Sequence, residues 1–380
     1  MNTEAVIRRA RISDVRGIKA IVDSYVGRLL LAKQLVTLYE DVQEFWVAER
    51  AGKLVGCGAL HVLWEDIAEL RTIAVVPEAT GQGVGHALVD ALISVAKDLG
   101  TYLMAADYGM LDSHVVGALW WDRDRGLDQI DDLLARRERA DGRSRDARFR
   151  ATTVKLMLDG VCETFTAAMS APYLDRAGRP TDHSGRLFIE REELFEATRR
   201  LSAEGFQLHF HAIGDLAVTT ALDALAALPA AERQAARHHL AHLQFITPRD
   251  MGRFAELGVV ANFQPLWACA EIQMEEMTLP FVGAERALWQ YQIGSLLELG
   301  TRIAFGSDWP VSSADPLQEI HVAVNRVLSE RLGRPGMPEC ENPFLPDQAI
   351  TVDAAVDAFT SGVAWVNHAE EVTGRLLPGM

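Results

Sequence analysis

Cysteine is scarce in this sequence, and its spacing suits neither a disulfide framework nor a small metal centre. Four cysteines occur in 380 residues, at Cys57, Cys162, Cys269 and Cys340, and no two of them form a CxxC pair. Secreted domains that depend on disulfides carry closely spaced, even sets of cysteines. The pattern therefore predicts reduced thiols and a cytoplasmic protein.

Long apolar runs and an excess of basic residues are also absent. No apolar run approaches the roughly 20 residues that span a bilayer, and residues 1–14 lack the apolar stretch of a signal peptide. The formal net charge is −16, whereas binding to phosphate backbones needs a basic face. We therefore expect a small-molecule substrate, no membrane segment and no nucleic-acid partner; a homo-oligomer stays open.

Hydrophobic residues make up 49% of the 380 residues, which is enough for a sizeable core and predicts two domains or one large barrel with an addition. Before residue 100, the pattern predicts strands at Ala5–Ala10, Phe45–Glu49, Leu54–Leu63 and Leu70–Val75, and helices at 13–30 and 86–99. After residue 150, it predicts strands at 152–158, 206–211, 238–245, 259–264 and 302–306, and helices at 191–204, 216–228, 249–257 and 287–299. This alternation is typical of an α/β fold with a parallel sheet.

The composition changes near residue 100. Residues 101–150 end in a highly charged stretch from Arg136 to Arg150, which is typical of a helix or a solvated linker. We therefore divide the chain into residues 1–100, a junction at 101–150 and residues 151–380.

A glycine-rich loop joins a predicted strand to a predicted helix at residues 77–85. Gly81, Gly83 and Gly85 stand in it at alternate positions. Glycines allow a backbone to approach a phosphate closely, and the first turn of the following helix offers unpaired N–H groups. The loop is therefore either a phosphate-binding element or an ordinary strand–helix turn.

The surroundings of this loop resemble the GNAT acetyltransferase superfamily, in particular amino-acid N-acetyltransferases of the N-acetylglutamate synthase type. The resemblance lies in the order β–α–β–β–β–loop–helix, in Val76-Pro77-Glu78 and in the segments 35–49 and 55–66. It implies acetyl-CoA as a cofactor. By the resemblance, the pyrophosphate would be cradled by Gly81, Gln82, Gly83, Val84 and Gly85, and the pantetheine would meet the backbone of Ile73 and Val75.

Acetyl transfer also needs a base for the attacking amine. Glu69 and Arg71 are two residues apart on a predicted strand, so both point to one face. We consider Glu69 as the base and Arg71 as a contact for a substrate carboxylate. The alternative is a solvated ion pair.

Three groups of histidine and acid residues occur at predicted strand ends after residue 150. They are His209-Phe-His211-Ala-Ile-Gly-Asp215, His238-His-Leu-Ala-His242 and Gly306-Ser-Asp308. Imidazole and carboxylate groups are ligands of zinc and similar ions. Ligands at the ends of successive parallel strands converge when the strands form a barrel.

These segments resemble the YtcJ-like branch of the amidohydrolase superfamily. The matching motifs are residues 155–160, 166–167, 211–215, 241–244, 264–265 and 306–310. The resemblance implies a TIM-type barrel that hydrolyses C–N bonds in amides and formamides with one or two metal ions, zinc foremost. It makes His211, His242 and Asp308 metal ligands, Asp308 also the acceptor of a proton from the attacking water, and Lys155 a lysine that bridges metals when carboxylated. A surface lysine is the alternative for Lys155.

Both resemblances are partial. No His-x-His strand, which begins the superfamily's barrel, precedes residue 115; Ala241 replaces the usual Glu; and the later GNAT strands are not recognisable after residue 100. The predicted fold is a partial GNAT fold followed by a partial TIM-type (β/α) barrel. Three functions follow: a metal-dependent amidohydrolase with an acetyl-CoA-binding segment, an amino-acid N-acetyltransferase, or an inactive fusion of two enzyme fragments.

Overall fold

A computed structural model describes residues 5–25, 33–62, 68–98, 114–143, 149–309, 311–328 and 342–376. The chain divides into two compact units, one formed by residues 1–114 with 142–149 and the other by residues 115–141 with 150–380. Within the described ranges, no helix has both the length and the apolar character required to cross a membrane.

The first unit is a four-stranded antiparallel sheet with helices. Its strands, in the sheet order β1-β2-β3-β4, are β1 (Val6–Arg9), β2 (Phe45–Arg50), β3 (Lys53–Val62) and β4 (Ala68–Val75). Its helices are α1 (Val15–Asp23), α2 (Leu35–Glu40) and α3 (Val84–Asp98). Val15, Ile18 and Val22 form one buried stripe of α1 because their spacing follows the helical period. The predicted continuation of this helix to Leu30 lies partly outside the described residues.

The second unit contains a six-stranded sheet whose spatial order is the chain order. The strands are β5 (Val115–Trp120), β6 (Phe149–Met157), β7 (Gln207–Ala212), β8 (His239–His242), β9 (Val260–Phe263) and β10 (Ile303–Phe305). β6 to β10 pair in parallel. Parallel neighbours in chain order, joined by helical crossovers, are the arrangement of a (β/α) barrel, which is complete at eight strands.

The helices of this unit follow the strands along the chain. They are α4 (Ile130–Arg143), α5 (Arg191–Ala203), α6 (Asp215–Ala226), α7 (Ala230–Ala236), α8 (Met251–Leu257), α9 (Leu279–Ala287), α10 (Ile293–Glu298), α11 (Pro316–Asn325), α12 (Val352–Asp357) and α13 (Val363–Val366). Leu208, Phe210 and Leu240 on the strands are fully buried with Leu222 of α6 in one core. The predicted α/β fold with a parallel sheet is confirmed.

The structure adds to two local predictions and overturns one. The strand β5 lies in the junction at 101–150, where the sequence analysis named no strand. In the charged stretch from Arg136 to Arg150, for which a helix or a solvated linker was predicted, the described residues belong to the end of α4 and to the start of β6. The single helix expected over 287–299 is wrong: Gln290 bridges to Phe245 and Tyr291 has a φ of 43°, so the chain turns between α9 and α10.

Candidate functional site

A cavity of about 280 Å³ follows the inner face of the six-stranded sheet. Its lining residues are Val116, Ala118, Thr153, Lys155, Gln207, His209, His239, Ala241, His242, Asn262, Gln264, Ala304, Phe305, Gly306, Asp308, Val363, Val366 and Asn367. Along most strands, the lining residues are two positions apart, because alternate side chains of a strand share a face. The cavity therefore occupies the side of the sheet that corresponds to a barrel interior.

Two of the predicted metal ligands lie side by side at the carboxyl ends of neighbouring strands. His211 stands near the end of β7 and His242 ends β8, and their ring centroids are 4.4 Å apart. Burial lowers the pKa of His211 to about 4 and that of His242 well below its usual value. Both imidazoles are therefore neutral at pH 7, which is the form that binds metal ions.

Strained backbone marks His242 and Asp308. Their φ angles are 77° and 53°, in the left-handed region that residues with a side chain rarely adopt. Such strain persists where the surroundings enforce it, and it concentrates at functional sites. Asp308 follows β10 and lines the cavity with His242. The structure thus brings His242 and Asp308 to the same cavity.

Lys155 begins a row of polar side chains across the sheet. Its Nζ lies 3.1 Å from Nε2 of His209, whose ring centroid is 4.3 Å from that of His239. Nδ2 of Asn262 lies 3.3 Å from Nδ1 of His239, and Nε2 of Gln264 donates to Oδ1 of Asn262 at 3.1 Å. We call these five residues the polar row.

Strand register explains the row. Lys155, His209 and His239 are partners across β6, β7 and β8, so their side chains fall in line on one face. The sequence analysis singled out Lys155 but assigned no role to His239 or Asn262. His239 could have been found from the sequence, because it stands two positions before Ala241 on β8 and alternate residues of a strand share a face.

The pKa of Lys155 is lowered to about 8, because burial opposes its charge more strongly than the nearby Asp308 supports it. The surface position considered for Lys155 is therefore wrong. Its carboxylation stays a prediction.

A second buried carboxylate, Asp159, organises the loops beside His211. It is fully buried and accepts hydrogen bonds from the backbone N–H groups of Ala168, Ile213 and Gly214 at 2.8–3.1 Å. Its Oδ1 lies 3.8 Å from Nε2 of His211. Burial raises the pKa of Asp159 to about 7 against the effect of these donors. The sequence analysis missed this residue, although it lies in the motif 155–160.

The side chains at this site supply part of the ligand set that a metal ion requires. His211 and His242 form a neutral imidazole pair, which suits zinc and similar ions. Among the described residues, however, no three His, Cys, Asp or Glu side chains are grouped closely enough to hold an ion. The complete ligand set predicted from the sequence is therefore not assembled, and its metal role remains a prediction.

The glycine-rich loop of the first unit has the backbone conformation that the sequence predicted for a phosphate cradle. Gly81 and Gly83 have φ angles of 75° and 79°, and a Cβ at either would meet no described atom within 4 Å. The helix α3 starts immediately afterwards at Val84. An open, left-handed turn at a helix start can present N–H groups to an anion.

Arg50 at the end of β2 is a cation beside this loop that the sequence analysis missed. Its Nη1 donates to Oε1 of Gln82 at 2.6 Å, and Nε2 of Gln82 donates to the carbonyl of Glu78 at 2.7 Å. A guanidinium group at this place adds positive charge next to Gly81 and Gly83.

The strand β4 carries the other predicted acetyl-CoA contacts. A bulge occurs where Thr72, with a φ of 57°, interrupts the pairing with β3, so the backbone near Ile73 is redirected. Val75 pairs with Gly56. The backbone of Glu69 pairs with His61, but its side chain is outside the described part, so its role as a base stays a prediction.

Arg71 is bound within the first unit. Its Nη2 donates to Glu44 at 2.8 Å and to Asp41 at 3.3 Å, and it lies 3.0 Å from Nδ1 of His61. The contact that we considered between Arg71 and a substrate carboxylate would therefore compete with two carboxylates of the same unit.

Comparison with known proteins gives two sets of relatives. The chain is 65% identical over 97 residues to the amino-acid acetyltransferase of Mycobacterium tuberculosis, which is 25% of this chain and 56% of that protein. It is 30% identical over 228 residues to Protein LONG AFTER FAR-RED 3 of Arabidopsis thaliana, which is 60% of this chain and 36% of that protein. It is 26% identical over 226 residues to the amidohydrolase YtcJ of Bacillus subtilis, of which it covers 40%. The chain thus spans between about a third and just over half of these curated relatives.

Solved structures and a family profile support the second set. A metal-dependent hydrolase from Pyrococcus horikoshii superposes with a TM-score of 0.60 and 22% identity, covering 88% of this chain and 67% of that chain. A similar hydrolase from Pyrococcus furiosus gives a TM-score of 0.57. Both share the overall fold of the matched part of this chain. The sequence profile of the amidohydrolase family matches residues 65–380, which is most of the chain. This protein is therefore a member of the amidohydrolase family that also carries a segment similar to amino-acid acetyltransferases.

Proposed function

We propose that this protein hydrolyses non-peptide C–N bonds of small amides with the help of a bound divalent metal ion, zinc in the first place. The observation that carries the proposal is the pair of neutral imidazoles, His211 and His242, with ring centroids 4.4 Å apart at the ends of adjacent parallel strands. His242 and Asp308 also line one cavity. Membership of the amidohydrolase family supports the reaction class.

The residues that would hold the metal are His211, His242 and Asp308. When bound, a divalent ion polarises the amide carbonyl and lowers the pKa of water. Asp308 would take a proton from the attacking water and deliver it to the leaving amine, as a general base and then a general acid. Asp159 would keep the loop after β7 in place through its bonds to Ile213 and Gly214.

The test combines metal content with hydrolysis. Protein purified without added metal is analysed by mass spectrometry for zinc, iron and manganese, and is then assayed with simple amides and formamides. We expect about one equivalent of metal and measurable hydrolysis, both lost in His242→Ala. His183→Ala is the matched control, since His183 is exposed and donates to a backbone carbonyl. No metal together with unchanged hydrolysis in His242→Ala would refute the proposal.

Binding of acetyl-CoA by the first unit is a second proposal. Left-handed, open positions at Gly81 and Gly83 favour it, as does the similarity to amino-acid acetyltransferases. By this proposal, Gly81, Gln82, Gly83, Val84 and Gly85 bind the pyrophosphate, Ile73 and Val75 meet the pantetheine, and Glu69 acts as the base for acetyl transfer. Calorimetry with CoA tests this second proposal. The absence of binding would refute it.

A cytoplasmic location is also part of the proposal. Cys57, Cys162 and Cys269 are buried in the described part of the chain. Burial raises the pKa of Cys57 to about 12 and also raises that of Cys162, so both thiols stay protonated and unreactive at neutral pH. Such thiols fit a reducing compartment.

A further inference from the structure

Glu319 is a fully buried acid to which the proposed hydrolysis gives no role. It lies in the first turn of α11 and is 0% exposed. Its Oε2 accepts a hydrogen bond from the backbone N–H of Leu266 at 2.6 Å, and its Oε1 lies 3.4 Å from Oγ of Ser312. Leu266 belongs to the turn after β9, and Ser312 belongs to the turn after β10. A single side chain therefore joins two turns at the carboxyl edge of the sheet.

The contacts of Ser312 indicate that Glu319 is a neutral acid. Oγ of Ser312 also contacts the carbonyl oxygen of Ser307, which can only accept a hydrogen bond. A serine hydroxyl has one proton, so this proton is used in the bond to Ser307. The contact between Ser312 and Glu319 then needs a proton from the carboxyl group. Burial, together with the nearby Asp308, raises the pKa of Glu319 from 4.5 to about 8, in agreement with this direction.

The resulting chain of hydrogen bonds ends at the peptide that carries Asp308. Ser307 directly precedes Asp308, whose carbonyl accepts the N–H groups of Val311 at 2.8 Å and of Ser312 at 3.4 Å. Asp308 has a φ of 53°, and a residue with a side chain keeps this left-handed conformation only when its surroundings enforce it. Glu319 and Ser312 provide such surroundings on one side of the turn.

The other hydrogen bond of Glu319 reaches the wall of the cavity beside His242. Leu266 is two residues after Gln264, which lines the cavity and whose side chain is hydrogen-bonded to His242. Asp308 and His242 follow different strands, so their separation depends on how the turns after β9 and β10 are held together. Glu319 bonds to both turns and thereby links the two sides of the site.

We propose that Glu319 is a positioning residue, which holds the turn of Asp308 in its left-handed conformation and at a fixed separation from His242. It acts through Ser312 and Leu266, and its neutral form keeps a second negative charge away from Asp308. The effect on hydrolysis rests on the proposed function, in which His242 and Asp308 belong to the reacting site. The effect on the turn itself does not.

Three variants separate the hydrogen bonds of Glu319 from its burial. Glu319→Gln keeps a donor for Ser312, an acceptor for Leu266 and the neutral charge, so it should behave as wild type. Glu319→Leu keeps a similar volume and removes both hydrogen bonds. Asp250→Ala is the control for a general loss of stability, since Asp250 is fully buried, binds Arg253 and lies outside the residues that line the cavity.

Hydrogen exchange, followed by mass spectrometry on protein without added metal, measures the order of the turn. We expect the amides of Trp309, Val311 and Ser312 to exchange at least about tenfold faster in Glu319→Leu, because a turn that loses its buried partners opens more often. Glu319→Gln and Asp250→Ala should match wild type at these amides. Ser312→Ala removes the middle of the chain of hydrogen bonds, should give the same acceleration, and replaces Glu319→Leu if that variant does not fold.

Zinc affinity and hydrolysis of simple amides test the effect on the site. Replacing a residue that supports a metal ligand typically weakens metal binding 10–100-fold. We therefore expect Glu319→Leu to bind zinc at least about tenfold more weakly and to lower kcat with KM nearly unchanged. Glu319→Gln should restore both properties, and Asp250→Ala should keep them.

Four results would overturn the inference. They are unchanged exchange in Glu319→Leu or its substitute Ser312→Ala, the same acceleration in Asp250→Ala, exchange in Glu319→Gln as fast as in Glu319→Leu, and faster exchange with unchanged zinc affinity and hydrolysis. The last result would leave the proposed function standing. The expected exchange pattern in a protein that neither binds zinc nor hydrolyses amides would instead remove the proposed function and support the role of Glu319 in the turn.

Discussion

Nζ of Lys155 lies 3.1 Å from Nε2 of His209 on the neighbouring parallel strand. The two residues are register partners, and His239 continues the line on the next strand. An ammonium group is therefore held among neutral imidazoles on the inner face of the sheet, in a cavity and beside Asp308.

Replacing Lys155 by Met should stabilise the fold at pH 7. Burial lowers the pKa of Lys155 from 10.5 to about 8. At 1.36 kcal/mol per unit, this shift is about 3 kcal/mol, which partial exposure and the lost contact with His209 reduce to about 1–2 kcal/mol. Urea denaturation at pH 7 measures the gain.

The pH dependence of the same variant checks the cause. Below about pH 8, Lys155 is charged in both states, and the cost of burying the charge is fully present. Between pH 8 and 10.5 the unfolded state holds the proton more tightly, so the wild-type stability rises with pH and the difference should shrink. Lys53→Met, at an exposed lysine, should show neither effect; a constant difference across this range would contradict the prediction.

Asp159→Asn should destabilise the protein by about 1–3 kcal/mol, because an amide NH2 cannot accept the N–H groups that the carboxylate satisfies. Ala168 and Gly214 donate to one oxygen and Ile213 to the other. Thermal unfolding measures the loss, with the exposed Asp182→Asn as control.

Asp159 should also make stability fall with rising pH. Its folded pKa of about 7 lies above its usual value of 3.8, so the folded state binds the proton more tightly between these values. The contribution is fully present below about pH 4 and is lost as pH rises towards 7. Asp159→Asn should lack this slope, and an identical slope in wild type and variant would rule out Asp159 as its origin.

Gly83→Ala should weaken CoA binding at least several-fold. Gly83 has a φ of 79°, and a left-handed residue with a Cβ costs about 1 kcal/mol. A relaxed loop would no longer present its N–H groups to the pyrophosphate. Calorimetry measures affinity. Gly178→Ala is the matched control, since Gly178 has a φ of 76° and an equally open Cβ position in the second unit; equal losses in both variants would refute a role of the loop.

Zinc should raise the melting temperature of wild type and leave His242→Ala unchanged. A ligand that binds only the folded state stabilises that state by about 2.7 kcal/mol when the ligand concentration is a hundred times the Kd. His211 and His242 are neutral at pH 7 and ready to bind, because burial lowers both pKa values. Scanning calorimetry with and without zinc measures the shift, and the same shift in both proteins would place the metal elsewhere.

Local patterns were sufficient for much of the fold. The alternation of apolar segments placed β7 and β9 within one residue of their observed ends, since buried parallel strands are short apolar runs. The same local patterns failed at residues 287–299, where they predicted one continuous helix. There the chain turns because Gln290 pairs with Phe245, a contact between distant parts of the sequence.

The candidate site shows the same division. The motifs around His211, His242 and Asp308 could be read from the sequence, and their places at strand ends explain why His211 lies beside His242 and why His242 and Asp308 line one cavity. The hydrogen bonds that Asp159 accepts from Ile213 and Gly214 could not, because they depend on how the loop after β6 folds against the turn after β7.

The sequence by itself determined the α/β class, the two kinds of relatives, the glycine loop and the identity of the candidate ligands, since these follow from residue types and their spacing. The tertiary structure decided which of them meet. Strand register placed Lys155 beside His209 and aligned His239 with them, and the packing of the strands left Gln264 at the wall of a cavity. Register is set by packing and pairing between distant segments, and spacing within one segment carries no information about it.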